Sequence, residues 1–190
     1  MAAEKLYDKW AARNPQWEAR YEDLIKMYCD YGKGETALRE ARGKLFGAGY
    51  ELYIVAFFIG LYENRRRPLT EDSKQRKVFG LAIENWGNIE KRLERTPYPK
   101  IRDYIFVALV ARTDIDLIAL DKGEITLRRA VDMLIQTMEE YANFGFHFIK
   151  DKGETIPDYF YREDAFLDIF LRYDASTDGD TDGDEPEALD

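Results

Sequence analysis

The chain has 190 residues, of which 45% are apolar and 34% charged, and its formal net charge at pH 7 is −9. This length predicts one domain with enough apolar residues for a core. The single cysteine, Cys29, excludes a disulfide framework, and the single histidine, His147, excludes metal sites built on several histidines or on a Cys/His set. We expect both side chains to be packed structurally rather than to react.

The charge is distributed unevenly along the chain. Residues 33–102 carry 15 basic and nine acidic side chains, whereas residues 174–190 carry eight acidic side chains and no basic one. Such polarity affects the choice of partner and the rate of association rather than the fold. The N-terminus shows no signal peptide, which together with the lone cysteine predicts a cytoplasmic protein.

Helical patterns dominate the first fifty residues. Residues 2–13 suit a short amphipathic helix. Asn14 and Pro15 suit an N-cap and the first position of a second helix, which runs to about Tyr31. After two glycines, residues 35–46 are predicted to form a third helix.

The most apolar segment of the chain runs from Leu52 to Leu61, with only Ala56 and Gly60 between large apolar residues. A helix that is apolar all round is either buried or spans a membrane. This segment has about half of the roughly 20 residues that a membrane span needs, so we predict a buried central helix. A strand is the rival interpretation because β-branched and aromatic residues are frequent here, but the alternation of a half-buried strand is missing.

The densest basic cluster follows this central helix directly. Six basic and two acidic side chains lie between Arg65 and Lys77. Pro68 should end the helix near Arg67, and Thr70 is a candidate N-cap for a short helix after it. One interpretation of the cluster is a solvated turn between helices. The other is a contact for phosphate or for an acidic partner surface.

The second half of the chain predicts more helices separated by turns. After a strand or loop within residues 78–88, we predict helices at 89–96, 101–111, 127–150 and 162–173. The helix at 127–150 is the longest and should end at Asp151-Lys152-Gly153. The fold class is therefore mainly α, with a single compact multi-helix domain over residues 1–173.

Residues 174–190 are predicted to form a disordered acidic tail, because low hydropathy and high charge do not support a core. Residues 178–183 match the first six positions of an EF-hand loop. Position nine is Pro186, and Leu189 stands where a bidentate glutamate is needed, so we expect no calcium site. Two interpretations of the tail stay open. It is a solubilising segment, or a DNA-like polyanion that shields a basic patch in the same protein or docks on a basic partner.

The sequence shows no enzyme motif. It contains neither a Walker loop nor a G-x-S-x-G elbow. Asp114 and Asp116 could hold a divalent ion, but capping of a turn explains them more simply. We therefore expect a protein that is not an enzyme and that uses no cofactor and no metal.

A basic face is the remaining candidate site. Converging arginine and lysine side chains would contact phosphates with salt-dependent affinity and without reading bases. The candidate contact residues are Arg39, Arg42, Lys44, Arg65, Arg66, Arg67, Lys74, Arg76 and Lys77, with Lys91, Arg92 and Arg95 as further basic side chains. The expected partner is the DNA backbone or an acidic protein surface, with no membrane, and the sequence leaves a homo-oligomer open.

Residues 55–63, VAFFIGLYE, resemble the helical segment of the DndE accessory family of bacterial DNA phosphorothioation systems. The shared pattern is an apolar helix of the form aliphatic-A-F-x-I-(G/S)-L-x-E, followed by a charged region. Residues 97–190 have no counterpart there. The resemblance implies a helical, DNA-associated accessory subunit of a modification or defence system, and not its catalyst. The alternative function is a protein-interaction or scaffold subunit of a cytoplasmic complex without DNA affinity.

Overall fold

A computed structural model describes residues 2–29, 45–88 and 96–171. Its helices and strands are α1 (Ala2–Ala11), β1 (Gln16–Glu18), α2 (Glu22–Tyr28), α3 (Gly49–Tyr62), β2 (Arg76–Val78), α4 (Ile101–Arg112), α5 (Leu117–Asp121), α6 (Leu127–Thr155) and α7 (Ala165–Phe170). The prediction of a mainly α, compact multi-helix domain is confirmed.

Helix α3 is the central element of the fold. Ten of its 14 residues are buried, and it packs against α6, α2 and α7. Because neighbours cover it on several sides, its sequence needs no polar face. The predicted buried central helix is confirmed, and the rival interpretation as a strand is wrong.

Helices α3 and α6 lie in close backbone contact at two glycines. A Cβ atom on Gly145 would lie 1.9 Å from the carbonyl oxygen of Ala56, and one on Gly60 would lie 2.2 Å from that of Tyr141. Both distances are too short for any side chain, so glycine lets the two backbones touch. The pairing of Ala56 with Gly145 and of Gly60 with Tyr141 makes the helices antiparallel.

A two-stranded antiparallel ribbon joins the N-terminal region to the segment that follows α3. In its register, Gln16 pairs with Val78, Trp17 with Lys77 and Glu18 with Arg76. The predicted helix from Pro15 to Tyr31 is therefore wrong in its first part, which is strand β1 and a 3-10 turn at Ala19–Tyr21. Its second part is confirmed over Glu22–Tyr28, and residues 30–31 lie outside the described ranges. Pairing with β2 has outweighed the local helical preference.

Several predicted helix ends also differ from the structure. Helix α6 continues through Gly153 to Thr155. Asp72, and not Thr70, caps the turn after α3, which is a 3-10 helix at Ser73–Gln75. The side chain of Asp116 accepts bonds from the first amides of α5, which confirms its interpretation as a cap. Within the described residues, α7 covers only Ala165–Phe170 of the helix predicted at 162–173.

Some predictions concern residues outside the described ranges. These are most of the helix at 35–46, the helix at 89–96 except its last residue, and the acidic tail at 174–190. The described end of the first of these is not helical, because Phe46 forms a parallel bridge with Cys29. Among the helices of the described residues, none is long and apolar enough to cross a membrane.

Candidate nucleic-acid interface

The segment after α3 turns sharply and is bonded to α6. Asn64 has a φ of 50°, and the amide of Arg65 donates to the carbonyl of Gly60 at 3.0 Å. A residue in the left-handed region commonly ends a helix in this way. The amide of Arg67 then donates to the carbonyl of Glu140 at 3.0 Å. These bonds fix the position of the backbone of Arg65 and Arg67 relative to α3 and α6.

A buried amide holds the rest of this loop. Asn143 of α6 is 1% exposed, and its Nδ2 donates to the carbonyls of Arg67 and Pro68 at 3.1 and 3.0 Å. The same Nδ2 lies 3.0 Å from Oε1 of Glu18, which also accepts the amide of Thr70 at 2.8 Å. The side chain of Asn143 thus joins α6, strand β1 and the basic loop.

The carboxylate of Glu18 is buried, so its charge needs partners. It is 4% exposed, and its Oε2 lies 2.6 Å from Nε of Arg20. Together with the bonds to Oε1, this ion pair compensates for the loss of water. The sequence gives no sign of this role, because the partners of Glu18 lie on other elements. Asn143 stands out in the sequence only as a weak helix former.

Arg65 and Arg66 lie on aromatic rings of α6. The Cζ of Arg65 is 5.1 Å from the ring centroid of Phe144, and that of Arg66 is 4.8 Å from that of Tyr141. Both arginines are exposed, and no carboxylate of the described residues pairs with either of them. Stacking holds the face of a guanidinium and leaves N–H groups at its edge for an acceptor.

A third arginine contacts Arg66 through its backbone. Nη2 of Arg66 donates to the carbonyl oxygen of Arg112, the last residue of α4. A helix carries partial negative charge at this end, which favours a cation. Arg112 is itself exposed. We call Arg65, Arg66 and Arg112 the arginine cluster. Arg112 is not predictable as a member from the sequence, because nothing local connects it with Arg66, which lies 46 positions earlier.

Other predicted contact residues bond within the fold. Nζ of Lys77 lies 2.5 Å from Oε2 of Glu22 and packs over Trp17. Hydrogen bonds from Lys77 and Lys26 hold the pKa of Glu22 below its ordinary value. Nε of Arg76 donates to the carbonyl of Thr70 at 2.6 Å. Lys77 is therefore neutralised by a carboxylate, and Arg76 is half-buried and bonded to the backbone of its own loop, so neither is included in the arginine cluster.

The remaining predicted residues differ in how the structure treats them. Arg67 is half-buried. Burial raises the pKa of Tyr21, and the charges of Arg20 and Arg67 oppose this rise. Lys74 is exposed. Arg39, Arg42 and Lys44 lie outside the described residues, as do Lys91, Arg92 and Arg95, so their role in binding stays a prediction.

Metal ligands are not grouped in the described residues: no three His, Cys, Asp or Glu side chains there lie close enough to hold an ion. Nε2 of His147 lies 3.4 Å from Oδ2 of Asp151, one turn along α6. Cys29 is buried in the core, as predicted.

No protein-family model, curated protein or solved structure matches this chain. The resemblance of residues 55–63 to the DndE family therefore stays a prediction.

Proposed function

We propose that the protein is a non-catalytic, nucleic-acid-associated accessory subunit that contacts the DNA backbone through the arginine cluster. The observation that supports this proposal is the state of Arg65 and Arg66. Both are exposed, both stack on α6, and neither is neutralised by a carboxylate of the described residues. The planar fork of an arginine matches two oxygens of a phosphate, and each such bond is charge-assisted.

The loop geometry favours a fixed contact rather than a loose one. The amide of Arg65 bonds the loop to α3, and the amide of Arg67 and the side chain of Asn143 bond it to α6. The guanidinium groups are therefore oriented before a ligand arrives, which lowers the entropy lost on binding. Contacts to phosphate position a protein on DNA without reading its sequence, as suits an accessory subunit.

We further propose a cytoplasmic protein of a bacterial DNA-modification or defence system. The support for the compartment is that the chain has a single cysteine, Cys29, which is buried in the core. The support for the system is the likeness of residues 55–63 to the DndE family, in which an apolar helix is likewise followed by a charged region.

An electrophoretic mobility shift assay tests the DNA contact. The protein is the full chain in which the eight Asp and Glu residues of 174–190 are changed to Asn and Gln, here called the tail-amide variant. In this background, Arg65→Ala/Arg66→Ala is compared with Arg128→Ala/Arg129→Ala, which removes the same charge. Both control arginines are exposed, and they lie about 20 Å from Tyr141 along the axis of α6.

We expect weak retardation of duplex DNA at about 50 mM salt, and a log–log salt slope of roughly −2 to −3 for two or three phosphate contacts. The cluster substitutions should abolish retardation, and the control substitutions should leave most of it. Absence of retardation at this salt concentration, or equal losses in the two double variants, would contradict the proposal.

A protein-interaction or scaffold subunit without DNA affinity is the second candidate. One face of α4 exposes apolar side chains, with Tyr104 63% and Val107 66% exposed, and Ile118 of α5 is 68% exposed. Exposed apolar patches often mark protein interfaces. Light scattering of the complex purified from the native host distinguishes the two functions. A stable stoichiometric partner that Val107→Glu releases, without DNA retention, would favour this candidate.

A further inference from the structure

The described chain ends against the last residue of α3. The last residue of α7 is Phe170, and its ring centroid lies 5.8 Å from that of Tyr62, the last residue of α3. Arg65 follows Tyr62 by three residues, and its amide is bonded back to Gly60. The last described residues before the acidic segment therefore lie at the end of α3, close to the loop that carries the first two arginines.

The acidic segment is long enough to cover this loop. Asp174 follows Phe170 by four residues, which span about 13 Å when extended, and Asp190 follows it by 20, which span about 65 Å. The Cα atoms of Tyr62 and Arg65 are at most about 10 Å apart. Carboxylates from the beginning or the middle of the segment can thus reach the guanidinium groups of the cluster.

The charges of the two partners are complementary. Residues 174–190 carry eight carboxylates, no cation and one large apolar residue, Leu189. They can make few apolar contacts with the exposed face of α4. Their carboxylates can, however, form ion pairs with arginines that lack a carboxylate partner. Lys77 is a poorer target, because Glu22 already neutralises it.

We propose that residues 174–190 bind the arginine cluster of the same molecule and compete there with DNA phosphates. Binding between the segment and the cluster stands on charge and placement alone, whereas the competition rests on the proposed function. A short tether gives an effective concentration on the order of 1 mM. If the segment alone has a dissociation constant of about 0.1 mM, it lowers the affinity for DNA about tenfold.

Carbodiimide cross-linking of the full chain tests the contact directly. This reagent joins a lysine amine to a carboxylate that touches it, so Arg65→Lys/Arg66→Lys keeps the charge of the cluster and makes it reactive. Arg128→Lys/Arg129→Lys is the matched control. A mixture of ¹⁵N-labelled and unlabelled protein separates links within one molecule from links between two, by mass spectrometry.

We expect the cluster variant to link to residues 174–190 within one molecule at about 50 mM salt and to lose most of these links at about 500 mM, where charges are screened. The control variant should give at least fivefold fewer cross-links to residues 174–190. Equal yields in the two variants, absence of links to the segment, or links only between molecules would overturn the proposal.

Binding of duplex DNA by the unmodified chain and by the tail-amide variant tests the competition. We expect the variant to bind about tenfold more tightly, with no such gain when the cluster is Arg65→Ala/Arg66→Ala. Equal affinities of the two proteins, without cross-links, would overturn the docking and leave the DNA contact standing. Cross-links in a protein whose tail-amide variant binds no DNA would support the docking and overturn the proposed function.

Discussion

Glu139 is a carboxylic acid in a place where its charge is costly. The residue is 9% exposed, and its Oε1 accepts the amide of Gln16 at 2.7 Å. Burial raises its pKa to about 7, although the bond from Gln16 and the charges of Arg76 and Arg13 act in the opposite direction. Glu18 is buried as deeply, but several donors hold its carboxylate. The pKa of Glu139 therefore lies near neutral pH, whereas the carboxylate of Glu18 holds the basic loop by hydrogen bonds.

The raised pKa of Glu139 predicts that stability depends on pH. Because the folded state binds this proton more tightly than the unfolded state, its contribution is complete below pH 4.5 and is lost as pH rises through about 7. The contribution is at most about 3 kcal/mol. Glu139→Gln should match the wild type near pH 5 and exceed it by about 2 kcal/mol at pH 8, as measured by urea unfolding.

An exposed carboxylate supplies the control for this experiment. Glu124 is exposed on the turn between α5 and α6, and Glu124→Gln should keep the pH dependence of the wild type. If the stability of Glu139→Gln changes with pH in parallel with that of the wild type, Glu139 is not the group responsible.

Among the helices, the crossing of α3 and α6 depends on glycine. A methyl group on Gly145 would meet the backbone of Ala56 at 1.9 Å, which only separation of the helices can relieve. Alanine is favoured over glycine in a helix by about 1 kcal/mol, but overpacking at such a contact costs more. We expect Gly145→Ala to lower the free energy of unfolding by about 3 kcal/mol or more, as measured in urea.

The same substitution elsewhere on α6 should be tolerated. A Cβ atom on Gly153 would lie 3.0 Å from Oη of Tyr28, the end of a long side chain that can shift. Gly153→Ala should therefore stay within about 1 kcal/mol of the wild type. If both variants lose a similar amount of unfolding free energy, the cost of alanine arises within helix α6 and not at its contact with α3.

Over the whole molecule, the sequence predicts well what depends on neighbouring residues. The central helix and the turn that follows it can be predicted, because a contiguous apolar run ends in three arginines and a proline. The ribbon β1–β2 cannot be predicted in this way, because Trp17 pairs with Lys77, which follows α3 and is distant in the sequence. A strand of three residues leaves too little local pattern to compete with helical spacing.

The candidate site divides in the same way. Arg65 and Arg66 can be predicted from their density of charge alone. That Lys77 pairs with Glu22 and that Arg112 joins the cluster depends on contacts 55 and 46 residues apart. Asn143 is harder still to predict, because a single amide on a helix says nothing about the loop that it will hold.

The arginine cluster combines residues from separate elements, which has a thermodynamic consequence. Arg65 and Arg66 lie in the loop after α3, the rings beneath them belong to α6, and Arg112 ends α4, so the cluster exists only while the core is folded. Any ligand that prefers the assembled cluster must stabilise the whole domain, by about 2.7 kcal/mol at a hundred times its dissociation constant. The midpoint of thermal unfolding is therefore a ligand assay in itself, and it can rank DNA, phosphorylated compounds and acidic peptides on one scale.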